Sequence, residues 1–338
     1  MIEKLVVYPT FNCNMKCRYC FYKKNTNQYI SFTRFKNAFK KFLKISQNPS
    51  IIFLGGEPLL NKDSIIKLIK EIRKNRKELP ITVFTNGINI DKKIIDFFKK
   101  NKINIIISID GSKKINDNEK KYYPSHFDTV MHNIKKYKLT KEATINMVVR
   151  KNNFRKLPQN IIHLYNLGFR KIGWNIDYLD NWEKNDIKEL EKSIKNILMR
   201  YLKMLKDNKD IYEISNRYEI IDFLTENKTN KCRNIILYPD GKFYLCDKVR
   251  NYKFILKGNI SKKREYLFKK LSKTYPQKGL FCPFGIYLYL KYEKKLPSKI
   301  IKEKLDIIYA MMNMIEKNTI KYFKIFLKFK YFRAKHNI

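Results

Sequence analysis

A short apolar run, Leu5-Val6-Val7-Tyr8, delivers the chain into Cys13-Asn14-Met15-Lys16-Cys17-Arg18-Tyr19-Cys20, which gathers three of the six cysteines into one loop. Thiolates this close can converge on one metal centre without long-range folding, and thiolate sulfur is the ligand that zinc and iron–sulfur clusters prefer. Zinc usually takes paired Cys-x-x-Cys units, often with histidine, to complete a tetrahedron. No such fourth ligand lies nearby, and His126, His132, His163 and His336 are scattered along the chain. The Cys-x3-Cys-x2-Cys spacing instead leaves one iron of a four-iron cluster open to a substrate or cofactor. The plain alternative is a set of ordinary buried cysteines in a reducing compartment.

After the loop, strand-like and helix-like periods alternate. Apolar residues from Phe32 to Leu43 have helical spacing; Ile51 to Leu54 reads as a strand, Ile65 to Ile72 as a helix and Ile81 to Phe84 as a strand. A helix at Ile94 to Phe98, a strand at Ile103 to Ile109, a helix at Phe127 to Tyr137 and a strand at Thr144 to Val149 follow. Leu157 to Leu167, Lys171 to Ile176 and the charged helix Ile187 to Leu205 complete six βα units. Such alternation predicts a parallel α/β architecture, with its chemistry at the carboxyl ends of the strands.

The cysteine loop falls at that end, and so do other polar signals. Gly55-Gly56-Glu57-Pro58 follows the second strand, Thr85-Asn86-Gly87 the third and Ser108-Ile109-Asp110-Gly111 the fourth. Paired glycines let backbone approach a ligand, and a carboxylate can accept from an ammonium. Taken singly, each is also an ordinary turn signature. Asn146 and Arg150 flank the end of the fifth strand, and Trp174, Asn175, Asp177 and Tyr178 end the sixth, where Trp174 reads as core.

The cysteine loop and these strand-end motifs together resemble the radical S-adenosylmethionine (radical SAM) superfamily over about the first 180 residues. The resemblance implies a partial (β/α)6 TIM-like barrel in which Cys13, Cys17 and Cys20 hold a [4Fe-4S] cluster. Its open iron would chelate S-adenosylmethionine (SAM), whose reductive cleavage gives a 5′-deoxyadenosyl radical that abstracts a substrate hydrogen. Tyr19 would lie near the adenine. Gly55, Gly56 and Glu57 would meet the SAM amino group, with Asn86, Ser108 and Asp110 near its carboxylate or ribose.

A second cysteine group follows polar connections near residues 207–210 and 227–231, which set a boundary near residue 225. Ile235 to Tyr238 and Lys242 to Leu245 flank Pro239-Asp240-Gly241 and read as a hairpin, with Cys232 and Cys246 near its two ends. With Gly258-Asn259-Ile260 and Cys282, this region resembles the auxiliary-cluster domains called SPASM and Twitch. It departs from them where Gly279 stands in place of a cysteine. Cys232, Cys246 and Cys282 imply one auxiliary iron–sulfur cluster, with an open iron or with Asp247 as fourth ligand. A lost cluster and a hydrogen-donating thiol are the alternatives. The division expected is a core barrel over 1–225, an auxiliary-cluster domain (hairpin plus helices) over 226–290, and basic amphipathic C-terminal helices over 291–338.

In 338 residues, 44% hydrophobic content is enough for a full core. The formal net charge is +42. The lysines are spread along the chain beside abundant Ile, Asn, Tyr and Phe, so codon bias competes with selection for an acidic partner. An N-terminus without an apolar targeting segment fits the cytoplasm. The C-terminal apolar positions from Leu305 to Leu327 predict a helix pair packed on the barrel, or a basic helix docking on a membrane surface or other anionic partner. The reading is an enzyme that modifies a ribosomally made peptide and takes electrons from a flavodoxin or ferredoxin. A small-molecule oxidoreductase of the same superfamily is the runner-up, and a non-enzymatic iron–sulfur or nucleic-acid-binding protein the alternative from another class.

Overall fold

In the computed structural model, residues 2–20, 28–207, 213–214, 234–244 and 295–336 are described. The strands are β1 (Lys4–Val7), β2 (Lys16–Cys17), β3 (Ser50–Phe53), β4 (Ile81–Thr85), β5 (Asn104–Ser108), β6 (Lys120–Lys121), β7 (Thr144–Val149), β8 (Lys171–Ile176), β9 (Glu213–Ile214), β10 (Asn234–Leu237) and β11 (Phe243–Tyr244). The helices are α1 (Phe32–Ile45), α2 (Lys62–Asn75), α3 (Lys92–Lys100), α4 (Lys113–Glu119), α5 (His126–Lys136), α6 (Leu157–Asn166), α7 (Lys184–Lys206) and α8 (Ser298–His336).

Local chemistry sets the helix starts. Ser31, Asn61 and Asp91 accept from the backbone N–H of Arg34, Ser64 and Ile94 to cap α1, α2 and α3. On α1, Phe35, Ala38, Phe39 and Phe42 recur at helical spacing and are all buried. Fully burying one such phenylalanine is worth roughly 1.5–3 kcal/mol, so this stripe holds the helix on the sheet.

One sheet runs in the order β11-β10-β1-β3-β4-β5-β7-β8-β9, parallel throughout except for β11, which pairs antiparallel with β10. Alternation divides its faces. Leu5, Val7, Ile51, Phe53, Ile81, Val83, Ile105, Ile107, Ile145 and Met147 join the helices in one core. The opposite face carries a smaller cluster of Val6, Tyr8, Phe11, Ile236 and Tyr238 at the β1–β10 side. Further across, Ser108 of β5 pairs with Asn146 of β7 on that same face, and both are half-buried. This is a partial (β/α) barrel: helices outside, a partly open polar lining within.

Two expectations change. The first strand of the predicted hairpin, β10, lies in the main sheet as the parallel neighbour of β1. The hairpin survives, with Pro239-Asp240-Gly241 turning the chain, Gly241 at φ 79° and Lys242 N–H donating to Asp240 Oδ1 at 2.9 Å. The C-terminal segment is one continuous helix, α8, rather than a pair. It lies against α7, where Asn318 donates to Glu191 at 2.9 Å; its buried Ile301, Leu305 and Ile308 cluster with Tyr178 and Leu179 after β8, and Met311 joins the main core. Among the described residues, no helix is long and apolar enough to cross a membrane.

Candidate active site at the strand ends

Backbone hydrogen bonds join the cysteine loop to the loop after β3. Leu54 N–H donates to Val7 C=O at 2.9 Å, Gly56 N–H to Thr10 C=O at 3.0 Å and Glu57 N–H to Asn12 C=O at 2.7 Å. The approach is too close for side chains. A Cβ on Gly56 would stand 1.9 Å from the Asn12 carbonyl oxygen. On Gly55, whose φ is +132°, it would stand 2.6 Å from that of Thr10. The two glycines therefore do their work through bare backbone.

Glu57 points inward and is 1% exposed. Its Oε1 accepts from Leu59 N–H at 2.9 Å and from the Thr85 hydroxyl at 2.7 Å, and its Oε2 accepts from Asn86 N–H at 2.7 Å. Burial pushes the carboxyl up to about 7, against the pull of these three hydrogen bonds toward the ionised form.

Asn86 carries the connection onward. Its side-chain amide donates to Asn14 Oδ1 at 2.8 Å and lies 4.0 Å from the Cys13 sulfur. Asn14 in turn donates to Asn89 at 2.9 Å. The Asn86 carbonyl, which can only accept, lies 2.8 Å from His126 Nε2 and so assigns the ring proton to that nitrogen. His126 Nδ1 then accepts from Asn116 Nδ2 at 2.8 Å. Burial, aided by the nearby charge of Lys120, lowers this histidine to about 4 and keeps it neutral.

Asn116 Oδ1 accepts from Asp110 N–H at 3.1 Å. Asp110, 2% exposed, accepts from Val148 N–H at 2.8 Å through Oδ1, and from the Tyr19 hydroxyl at 3.0 Å and Lys120 Nζ through Oδ2. One connected network thus reaches from Glu57 through Asn86, His126, Asn116 and Asp110 to Tyr19 in the cysteine loop.

Of the predicted residues, Tyr19, Gly55, Gly56, Glu57, Asn86 and Asp110 are brought together around Cys13, Cys17 and Cys20. Ser108 lies two residues before Asp110, on the inner face of the sheet. Arg150 faces Glu119 at 2.9 Å, Asp180 at 3.3 Å and Asp177 at 3.4 Å. Asn175 donates to Asn146 at 2.8 Å, while Trp174, in register with buried Met147, packs on the main core. Cys232, Cys246 and Cys282 lie outside the described residues, as do Asp247 and Gly279. Asn14, Asn116, Glu119, Lys120 and His126 were missed by sequence reasoning. Asn14 was marked only by lying inside the cysteine motif, and the others only by following the strand end at Asp110.

Cys13, Cys17 and Cys20 are thiols engaged in no disulfide, each half-buried. Cys20 N–H closes a turn on Cys17 C=O at 3.2 Å. Burial pushes the Cys17 thiol up to about 11, Lys120 pulls it down, and Asp110, Cys13 and Cys20 each act on it electrostatically. Among the described residues, no three His, Cys, Asp or Glu side chains group closely enough to hold a single metal ion. A four-iron cluster makes a different demand, one thiolate on each of three irons, and this all-thiolate set of three fits it.

The family model of the Radical SAM superfamily matches residues 7–194, more than half of the chain. A cysteine-type anaerobic sulfatase-maturating enzyme of Clostridium novyi (strain NT) is 29% identical over 283 residues, covering 73% of each chain. An uncharacterized protein of Methanocaldococcus jannaschii is 31% identical over 182 residues, covering 52% of this chain and 63% of its own length. The solved structure of native anSMEcpe with bound AdoMet and a peptide superposes with a TM-score of 0.65 at 26% identity, covering 78% of each chain.

Proposed function

Because the chain belongs to the radical SAM superfamily, and is therefore an enzyme that uses a [4Fe-4S] cluster and SAM, we propose that it modifies a peptide by hydrogen abstraction at the mouth of its barrel. Kinship with sulfatase-maturating enzymes supports the peptide reading. The carrying observation is the single hydrogen-bonded assembly of the cysteine loop with the strand-end loops that bear Glu57, Asn86 and Asp110.

In this reading Cys13, Cys17 and Cys20 hold the cluster, which when bound supplies the electron that cleaves SAM. The Glu57 carboxylate already accepts three protein hydrogen bonds, so recognition of an ammonium falls to the backbone of Gly55, Gly56 and Glu57, and Glu57 fixes that backbone in place. Asn86 sets the distance between the loop after β4 and Cys13. Tyr19 offers its ring, oriented by the bond from its hydroxyl to Asp110. Ser108, half-buried on the inner face, supplies a hydroxyl for a carboxylate or ribose. Asn146, level with Ser108, and Asn175 line the same face, where a substrate backbone can be read by amides.

A domain division near residue 225 that leaves β10 in the barrel sheet, an auxiliary cluster at Cys232, Cys246 and Cys282, and electron delivery by a flavodoxin or ferredoxin belong to the same proposal. The net charge of +42 favours an acidic peptide. The reconstituted enzyme, given SAM, reductant and acidic peptides containing cysteine or serine, should form 5′-deoxyadenosine in step with a change in peptide mass. Formation of 5′-deoxyadenosine at one rate with or without any peptide, and no mass change, would turn the reading toward a small-molecule substrate.

A further inference from the structure

Lys120 is 1% exposed, a rare state for a lysine. A buried ammonium is costly unless it is paired and hydrogen-bonded. Its partner is Asp110, whose side chain is fully buried. The backbone of Lys120 pairs with Cys17 in the short antiparallel ladder of β2 and β6. The adjoining Glu119 carbonyl accepts from Arg18 N–H at 2.9 Å, so the ladder is fastened from the next residue as well. The Lys120 ammonium lies 5.2 Å from the centroid of the Tyr19 ring, and the Tyr19 hydroxyl shares the same Asp110 oxygen. Ammonium, carboxylate and phenol thus form one buried cluster against the cysteine loop.

A carboxylate needed only to hold Tyr19 already has Val148 N–H and the Tyr19 hydroxyl as donors. The cation adds something else. The backbone pairing with Cys17 and the approach to the Tyr19 ring fix this ammonium beside the cysteine loop. Water is excluded from the pair, so its field is weakly screened.

We infer that Lys120 is a positioning residue that also acts through its charge. Through Asp110 and Tyr19 it clamps the cysteine loop to the loop after β5, and its ammonium favours the reduced, more negative state of the cluster. This rests on the reading that Cys13, Cys17 and Cys20 hold that cluster. Hydrogen bonding and burial around the sulfurs are established levers on cluster potential, and a fixed charge acts in the same way.

The test uses the full chain, reconstituted anaerobically, as wild type, Lys120→Met and the neutral pair Lys120→Met/Asp110→Asn. Iron per chain and the cluster midpoint potential, from a redox titration followed by electron paramagnetic resonance, are measured on each. The potential should be highest in the wild type, lower in the double variant and lowest in Lys120→Met, where Asp110 is left unpaired. Should Lys120→Met fail to fold, the double variant decides alone. A double variant that loads iron at the wild-type potential would overturn the inference. Loss of iron from the double variant with the circular dichroism of the folded chain kept would support the clamp, whereas loss of that circular dichroism would overturn the inference, because the pair would then only support the fold. Equal iron in the wild type and a Cys13/Cys17/Cys20→Ala variant would instead overturn the underlying reading.

Discussion

The backbone N–H of Asn86 donates to the Glu57 carboxylate at 2.7 Å, and this bond joins the loop after β4 to the loop after β3. The Asn86 side chain then reaches Asn14 in the cysteine loop. Three loops that meet only in the folded chain are thereby set by two residues, and each can be removed singly.

Glu57→Gln places an amide NH2 against the donor groups that the carboxylate now satisfies. Leaving one buried donor unsatisfied costs about 1–3 kcal/mol. The melting temperature under anaerobic conditions should fall accordingly, and Glu57→Ala should fall further. Variants as stable as the wild type would show that these bonds contribute nothing.

Glu57 and His126 also predict a pH signature of opposite signs. The Glu57 carboxyl titrates near 7 in the fold against about 4.3 unfolded, so its contribution is full below about pH 4 and is lost as pH rises toward 7. His126 titrates near 4 in the fold against about 6.5 unfolded, so its contribution is full above about pH 6.5 and is lost as pH falls toward 4. Each swing is of the order of 3 kcal/mol, and in the wild type they oppose one another. Glu57→Gln should therefore show a melting temperature that rises with pH between about 4.5 and 6.5, steeper than in the wild type. Superimposable profiles would contradict this.

Gly56→Ala drives a methyl group into the Asn12 carbonyl, backbone against backbone. Overpacking of this kind costs about 1–3 kcal/mol and here is relieved only by parting the two loops. Iron uptake on reconstitution should fall while circular dichroism stays that of the folded chain. Full iron loading would show that the loops can separate without consequence.

Asn86→Ala removes the tie to Asn14 but keeps the backbone bonds to Glu57 and His126. A net loss of about 1 kcal/mol predicts SAM binding weakened about fivefold, measured by equilibrium dialysis. Unchanged affinity would place Asn86 outside the pocket.

Much of this architecture was legible in the sequence, because periods of two and 3.6 residues survive in Ile105 and Ile107 of β5 and in Phe35, Ala38, Phe39 and Phe42 of α1. The turn at Pro239-Asp240-Gly241 was legible because its chemistry is local. The sheet membership of β10 was not, since Asn234 to Leu237 reads as the same apolar strand whichever neighbour it takes. At the site, the glycines and cysteines stood out by type and spacing. Lys120 and His126 did not: a lysine among 73 basic residues reads as solvated surface. Only the fold brings Asp110 and the Asn86 carbonyl against them.

The central claim is that Cys13, Cys17 and Cys20 hold the cluster that cleaves SAM. Iron and sulfide per chain, with SAM cleavage, should be measured on the anaerobically reconstituted wild type and on the Cys13/Cys17/Cys20→Ala variant. The variant should lose about four irons and all SAM cleavage, with about four irons remaining if an auxiliary cluster is present. A variant that retains the full iron content, or still cleaves SAM, would contradict the claim.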